Sequence, residues 1–279
     1  MILLDGKKVA NEINERLKDE IKGEINVPGL AVILIGNRRD SIKYIEEIKK
    51  VCREIGMRFL FFNKSETLEQ NTIIQNIKEL NKNPTINGII VQLPLPDSFN
   101  TEKILDTIDP SKDVDGFNMI NRGNLFLNRI PDSIPCTPLG CMELIDHYGI
   151  DIEGLNVCVI GCSNVVGLPL SILLQQRNAT VTMCHKYTRD LKEHTLRSDI
   201  IFSCCGVAKI IKGDMVKEGA IVVDVGINFI DGRIVGDVDF EGVKDKCSYI
   251  TPVPGGIGPM TISMLMKQTI KSWKKRKEL

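Results

Sequence analysis

Apolar positions alternate between two spacings along this chain. Val9, Ile13, Leu17 and Ile21 recur every four residues, which puts them on one face of a helix over residues 8–21. GLAVILIG at 29–36 is a short continuous apolar run and reads as a buried strand. Between Ser41 and Gly56 a second helical stripe runs through Tyr44, Ile45, Ile48, Val51, Cys52 and Ile55, with Gly56 as its stop. RFLFF at 58–62 is the next strand, TLEQ at 67–70 matches a capping box opening a helix to about Asn81, and GIIVQL at 88–93 is another strand. Near-continuous apolar strands alternating with helices predict a parallel sheet covered on both faces.

Between Pro94 and Pro138 no regular period survives the prolines and glycines, so this stretch is expected to be functional or to connect domains. The alternation then resumes. A helix is predicted near 138–148, then the strand NVCVI at 156–160, a helix from about Val166, and strands ATVTMC at 179–184, DIIFSCC at 199–205 and AIVVDVG at 220–226. A terminal helix from Pro259 to about Lys275 ends the pattern. Two α/β domains with a cleft between them is the economical architecture, without repeats or low-complexity segments.

Charge narrows the partners. The 279 residues carry 36 Lys+Arg against 36 Asp+Glu, which leaves no basic excess to bind nucleic acid. The basic cluster of Lys271, Lys274, Lys275, Arg276 and Lys277 suits the carboxyl end of a helix without any partner. No apolar stretch is long enough for a membrane span, and MILLDGKKVA has charges where a signal peptide needs an apolar run, so a cytoplasmic protein is expected. The nine cysteines form no CxxC or metal-ligand spacing. Cys158, Cys184, Cys204 and Cys205 fall in apolar runs read as strands, so the thiols are expected to be reduced, structural and free of zinc.

Four segments could carry chemistry. IGCSNVVGLP at 160–169 follows a strand and opens a helix, where backbone N–H groups can face a phosphate, although its glycines, Gly161 and Gly167, do not make GxGxxG. The following strand ends in Cys184, His185 and Lys186, with Arg189 nearby; a cationic end favours the extra phosphate of NADP over NAD. KDVDGF at 112–117 holds Asp113 and Asp115, readable as an acid/base pair, a metal site or simply a turn. TPVPGGIGPMT at 251–261 suits close approach of backbone to a flat ligand, and Ser41, Tyr44 and Gln92 are polar groups placed to face a cleft.

In order along the chain, SIKYIEEIKK, GIIVQLPLP, PSKDVDGFN, PCTPLG, GCSNVVGLP, ATVTMCH, VDVGIN, GDVDF and TPVPGGIGPMT resemble the methylenetetrahydrofolate dehydrogenase/cyclohydrolase family over nearly the whole length. The resemblance implies an α/β catalytic domain over 1–118, joined by the terminal helix 259–279, and a Rossmann-like NADP-binding domain with a parallel sheet over 119–258. It implies a homodimer and a tetrahydrofolate derivative as substrate. Tyr44 would stack on the aminobenzoate ring, Asp115 would hold the pterin edge, and Gln92 would lie near the reacting carbon. Val91, Leu93, Pro254, Gly255 and Thr261 would help line the folate site, and Gly161, Cys162, Ser163, Lys186 and Ile227 would contact the cofactor.

The departures are as specific as the matches. Bifunctional members of the family carry a lysine four residues after the tyrosine, essential to the cyclohydrolase step, and this chain has Ile48 there. Lys49 and Lys50 follow at about 100° and 200° around the helix. Hydride transfer from the methylene carbon moves no proton, whereas hydrolysis of the resulting methenyl cation needs an acid/base group worth roughly 10²–10⁴-fold. The expectation is therefore a retained dehydrogenase with a weak or absent cyclohydrolase; a fully bifunctional enzyme and a catalytically lapsed binding protein are the alternatives. Cys162 stands where many NADP-using members have Arg, Lys186 where they have Ser, and Asn118 where His is common.

Overall fold

The computed structural model describes residues 1–230 and 232–277. Its first elements are β1 (Ile2–Leu3), α1 (Gly6–Glu20), β2 (Gly29–Ile35), α2 (Arg39–Ile55), β3 (Arg58–Lys64), α3 (Gln70–Lys82) and β4 (Gly88–Val91). Then come α4 (Thr101–Leu105), α5 (Met119–Phe126), α6 (Cys136–His147), β5 (Asn156–Ile160), α7 (Gly167–Gln176), β6 (Thr180–Cys184), α8 (Leu191–Leu196) and β7 (Ile200–Ser203). The last are β8 (Ile221–Asp224), β9 (Asn228–Ile230), β10 (Arg233–Val235), α9 (Phe240–Val243), β11 (Tyr249–Ile250) and α10 (Ile257–Lys277). Among the described residues no helix is long and apolar enough to cross a membrane.

The chain forms two compact units, Met1–Asn11 with Thr137–Thr261 and Glu12–Cys136 with Ile262–Leu279. This grouping differs from the 1–118 and 119–258 division, because β1 pairs in parallel with β11 and so carries the first residues into the larger sheet.

In the unit holding Thr137–Thr261 six parallel strands run in the order β1-β11-β8-β7-β5-β6. Counted from β5, the strands stand in the doubly wound order 2-1-3-4-5, so the order reverses between β5 and β7. Ligands of such sheets bind beyond the carboxyl ends of the strands at that reversal. Every residue of β7 and β8 is buried, and Cys158, Ile201, Val222 and Ile250 share one core cluster.

The other unit holds a three-stranded parallel sheet, β3-β2-β4, whose centre, β2, is buried at all seven positions. Part of α10 closes this unit through polar ties as well as apolar ones. Ser272 Oγ bonds Asn87 O and Ser111 O, each at 2.7 Å, and Trp273 Nε1 donates to Asn26 O at 2.9 Å.

Several elements depart from the sequence reading. The TLEQ capping box is not used: the Thr67 hydroxyl pairs with Ser65 Oγ at 2.7 Å, and α3 starts at Gln70 without a side-chain cap. β4 ends at Val91, leaving Gln92 and Leu93 beyond it, before a cis Leu93–Pro94 bond. The stretch 94–138 contains α4 and α5, each capped by an asparagine, Asn100 and Asn118. β7 ends at Ser203 because the N–H groups of Cys205 and Gly206 turn to the Asp237 carboxylate at 2.9 and 3.1 Å. Cys204 and Cys205 therefore lie past the strand, half-buried, and not inside it. All nine thiols are free, Cys162 being the exposed one.

Candidate functional site

In the three-stranded unit Tyr44 lies on α2 and Asp115 in the 112–117 turn. Ser41, Ile45, Ile48, Cys52 and Ile55 form the buried face of α2, and the helix runs without a break to Gly56, whose φ of +96° supplies the left-handed cap. Ile48 is 0 % exposed, Lys49 reaches out to Glu46 at 3.4 Å, and Lys50 is exposed. The helical register thus keeps both amines off the position that Ile48 fills. Tyr44, one turn before Ile48, is half-buried; burial, then the nearby Asp115 and Cys136, push its phenol pKa well above the usual value.

The two acids of the turn do different work. Asp113 is buried and accepts the Asn118 N–H at 2.8 Å and Asn121 Nδ2 at 2.9 Å, so it fixes the turn. Asp115 has no such backbone cage; burial, then Asp113, push its carboxyl up to about 7, against the lowering influence of the neighbouring Cys136. Lys112 is fully buried, donating to Leu80 O at 3.1 Å and Asn83 O at 2.8 Å at the end of α3. Burial, then Arg276, lower its pKa to about 8. Asn118 bonds Ile108 O at 3.0 Å and accepts the Ile120 N–H at 2.8 Å, so its role here is to cap α5. Gln92 is half-buried with Nε2 on Leu93 O at 2.9 Å, Leu93 is half-buried, and Val91 sits in the sheet core. Among the described residues no cluster of His, Cys, Asp and Glu could hold a metal ion.

In the six-stranded unit the glycine turn lies at the reversal of strand order. A Cβ on Gly161, whose φ is +116°, would stand 2.5 Å from Cys204 O, and one on Gly167 would stand 1.9 Å from Gly161 O. These two glycines let the turn close against the end of β7 and let α7 begin against the turn, which leaves Cys162, Ser163 and Asn164 exposed. Ser163 Oγ accepts the Val166 N–H at 3.1 Å. At the end of β6 the 185–188 turn is self-bonded through His185 and Thr188 and presents Lys186 to solvent, 4.9 Å from the Tyr187 ring. Ile227 is exposed on the loop after β8. Pro254, Gly255 and Thr261 also belong to this unit; Gly255 has a φ of +111°, and Thr261 Oγ1 lies 3.0 Å from Thr137 Oγ1.

Three functional groups escaped the sequence reading. Asp237 and Asp224 brace the loops after β7 and β8: Asp237 holds the Cys205 and Gly206 N–H groups and Asn228, and Asp224 holds the N–H groups of Gly226, Asp237 and Val238. Cys136, buried beside Asp115, is the third. Each lay in a quoted string, GDVDF, VDVGIN or PCTPLG, but a single buried polar residue has no period to betray it.

Comparison with known proteins accords with both halves. Residues 4–115 match the tetrahydrofolate dehydrogenase/cyclohydrolase catalytic domain, and residues 135–277 match the NAD(P)-binding domain of the same family. The Bifunctional protein FolD of Nitratiruptor sp. is 52 % identical, with 99 % of each chain covered. The crystal structure of the bifunctional FolD enzyme of Campylobacter jejuni superposes with a TM-score of 0.97 at 48 % identity, covering 99 % of each chain. The FolD of Trypanosoma brucei, solved with NADP cofactor and an inhibitor, gives 0.96 at 34 % identity, covering 100 % of this chain and 99 % of that one. With both domain models matched in order and close relatives aligned end to end, the chain belongs to the tetrahydrofolate dehydrogenase/cyclohydrolase family.

Proposed function

We propose that this chain oxidises 5,10-methylene-tetrahydrofolate to the 5,10-methenyl form with NADP as acceptor. The observation that carries the reading is the glycine turn at the strand reversal, packed so closely that a Cβ on Gly161 or Gly167 would meet backbone and leaving Cys162, Ser163 and Asn164 exposed, with exposed Lys186 at the end of the adjacent strand. Gly161, Cys162, Ser163, Lys186 and Ile227 would hold the cofactor, whose nicotinamide supplies a hydride acceptor. Asp115 holds the pterin edge, Tyr44 stacks on the aminobenzoate ring, and Gln92 faces the reacting carbon. Because the hydride step moves no proton, positioning by these groups supplies much of the catalysis.

For the following hydrolysis the relatives, named as bifunctional, favour a chain that performs both steps over the expectation of a weak cyclohydrolase. One observation favours the narrower reading: Ile48 is fully buried in an unbroken helix, with Lys49 turned to Glu46. Hydrolysis of chemically prepared methenyl-tetrahydrofolate, followed separately from NADP reduction, decides between them. A wild-type rate comparable to oxidation establishes the two-step enzyme. On the narrower reading, Ile48→Lys raises hydrolysis selectively by roughly 10²–10⁴-fold.

Cofactor choice has its own test. Lys186→Ala is expected to raise the KM for NADP about tenfold while leaving that for NAD within about twofold, since only NADP offers a 2′-phosphate to the ammonium. Equal effects on both would place Lys186 outside that contact. The homodimer is supported by the exposed apolar side chains Phe229, Ile230 and Ile234 on β9 and β10.

A further inference from the structure

Gln268 lies on α10 within the three-stranded unit and is only 5 % exposed. A buried amide is costly unless its donors and acceptor are matched, and here they all are. Oε1 accepts the Ile134 N–H at 2.7 Å, while Nε2 donates to Val114 O at 2.7 Å and Ile134 O at 2.9 Å and lies 3.3 Å from Cys136 Sγ. The amide thereby clips two backbone segments together, the 113–116 turn and residues 134–136. Their approach is close: a Cβ on Gly116, whose φ is +73°, would stand 2.5 Å from the Ile134 carbonyl carbon. The Cys136 thiol donates to Val114 O at 3.3 Å and stands beside the Asp115 carboxyl, whose pKa it lowers.

We propose that Gln268 is a positioning residue for the folate reaction, fixing Asp115 through Val114 O and orienting the Cys136 thiol that faces the same carboxyl. A leucine there would fill most of the space but strip the Ile134 N–H and C=O of their amide partner and free the turn. The inference rests on the folate reading of Asp115.

The full-length chain tests it through the KM for methylene-tetrahydrofolate measured from pH 5.5 to 8.5, with melting curves as the check on folding. Gln268→Leu is expected to raise that KM about 10- to 100-fold, with the KM for NADP within about twofold. Gln268→Glu keeps the shape but loses the donor toward Val114 O and Ile134 O, and should reproduce most of the rise. Cys136→Ala keeps the clip and removes the thiol; since that thiol lowers the Asp115 pKa, the midpoint of the KM profile should move to higher pH. Folded variants with wild-type KM and wild-type midpoint overturn the proposal. If Gln268→Leu fails to fold, Gln268→Glu and Cys136→Ala decide, and an unmoved midpoint in the latter overturns it. A wild-type chain that oxidises no methylene-tetrahydrofolate at all sinks the folate reading and this inference with it, which is a different result from an active chain indifferent to the substitutions.

Discussion

Asp115→Asn is expected to make the protein more stable at pH 8 while weakening its grip on folate, a split that few substitutions produce. The fold raises the Asp115 carboxyl from about 3.8 to about 7, so the folded state favours the protonated acid. That contribution to stability is complete below the ordinary carboxyl range and is lost as pH rises through 7. At pH 8 the wild type therefore carries a buried ionised carboxylate that the amide lacks. With one pKa unit worth ~1.4 kcal/mol, and allowing for partial exposure, a gain of about 1–3 kcal/mol at pH 8 is expected, shrinking toward zero near pH 4. Binding moves the other way. A carboxylate can accept two N–H bonds from a pterin edge, whereas an amide offers one acceptor and one mismatched donor, so the folate KM should rise about 10- to 100-fold. In the wild type the same KM should fall as pH rises through 7, and in the variant it should stay flat. Melting temperatures and folate KM values at pH 5, 7 and 8 check both halves; a parallel loss of stability and affinity at pH 8 would contradict the assignment.

Gly167→Ala should be among the most damaging single methyl groups in the six-stranded unit. Its Cβ would stand 1.9 Å from Gly161 O, a backbone atom that cannot swing aside, and Gly161 is itself pinned against Cys204 O. Relief requires α7 or the turn to move by more than 1 Å, as a Cβ–oxygen contact needs ~3.2 Å or more. Overpacking of this kind costs about 1–3 kcal/mol, roughly 2–10 °C in melting temperature for a unit of this size. NADP affinity should fall further than stability, by about 100-fold, because the exposed N–H groups of the turn lose their aim. Titration with NADP well below the melting temperature separates the two effects; normal affinity would show that the turn does not face the cofactor.

What could be read from the sequence was what repeats. The α2 stripe ending at Gly56, the all-apolar β2 and the strand-turn-helix at 156–176 are periodic or punctuated, and they stand in the structure nearly as expected. Thr67 had the right spacing for a cap, but Ser65 lay closer and took its hydroxyl. β1 is two residues long and is a strand only because it meets β11 across the length of the chain, which no local window can see. Asp113 and Asp115 look alike in KDVDGF; only the packing of Asn118 and Asn121 against the first separates scaffold from candidate ligand. Ile48 was visible as a departure, while the unbroken register that excludes Lys49 and Lys50 needed coordinates.

The interleaving of the two units has a consequence for how the protein is made. Glu12–Cys136 leave the ribosome early, but the residues that close their core, Thr269, Ser272 and Trp273 among them, follow only after all of Thr137–Thr261. The backbone carbonyls of Asn26, Asn87 and Ser111 therefore find their α10 partners only after the six-stranded unit has been synthesised. For the same reason a single recombination point cannot transplant either unit whole into another protein.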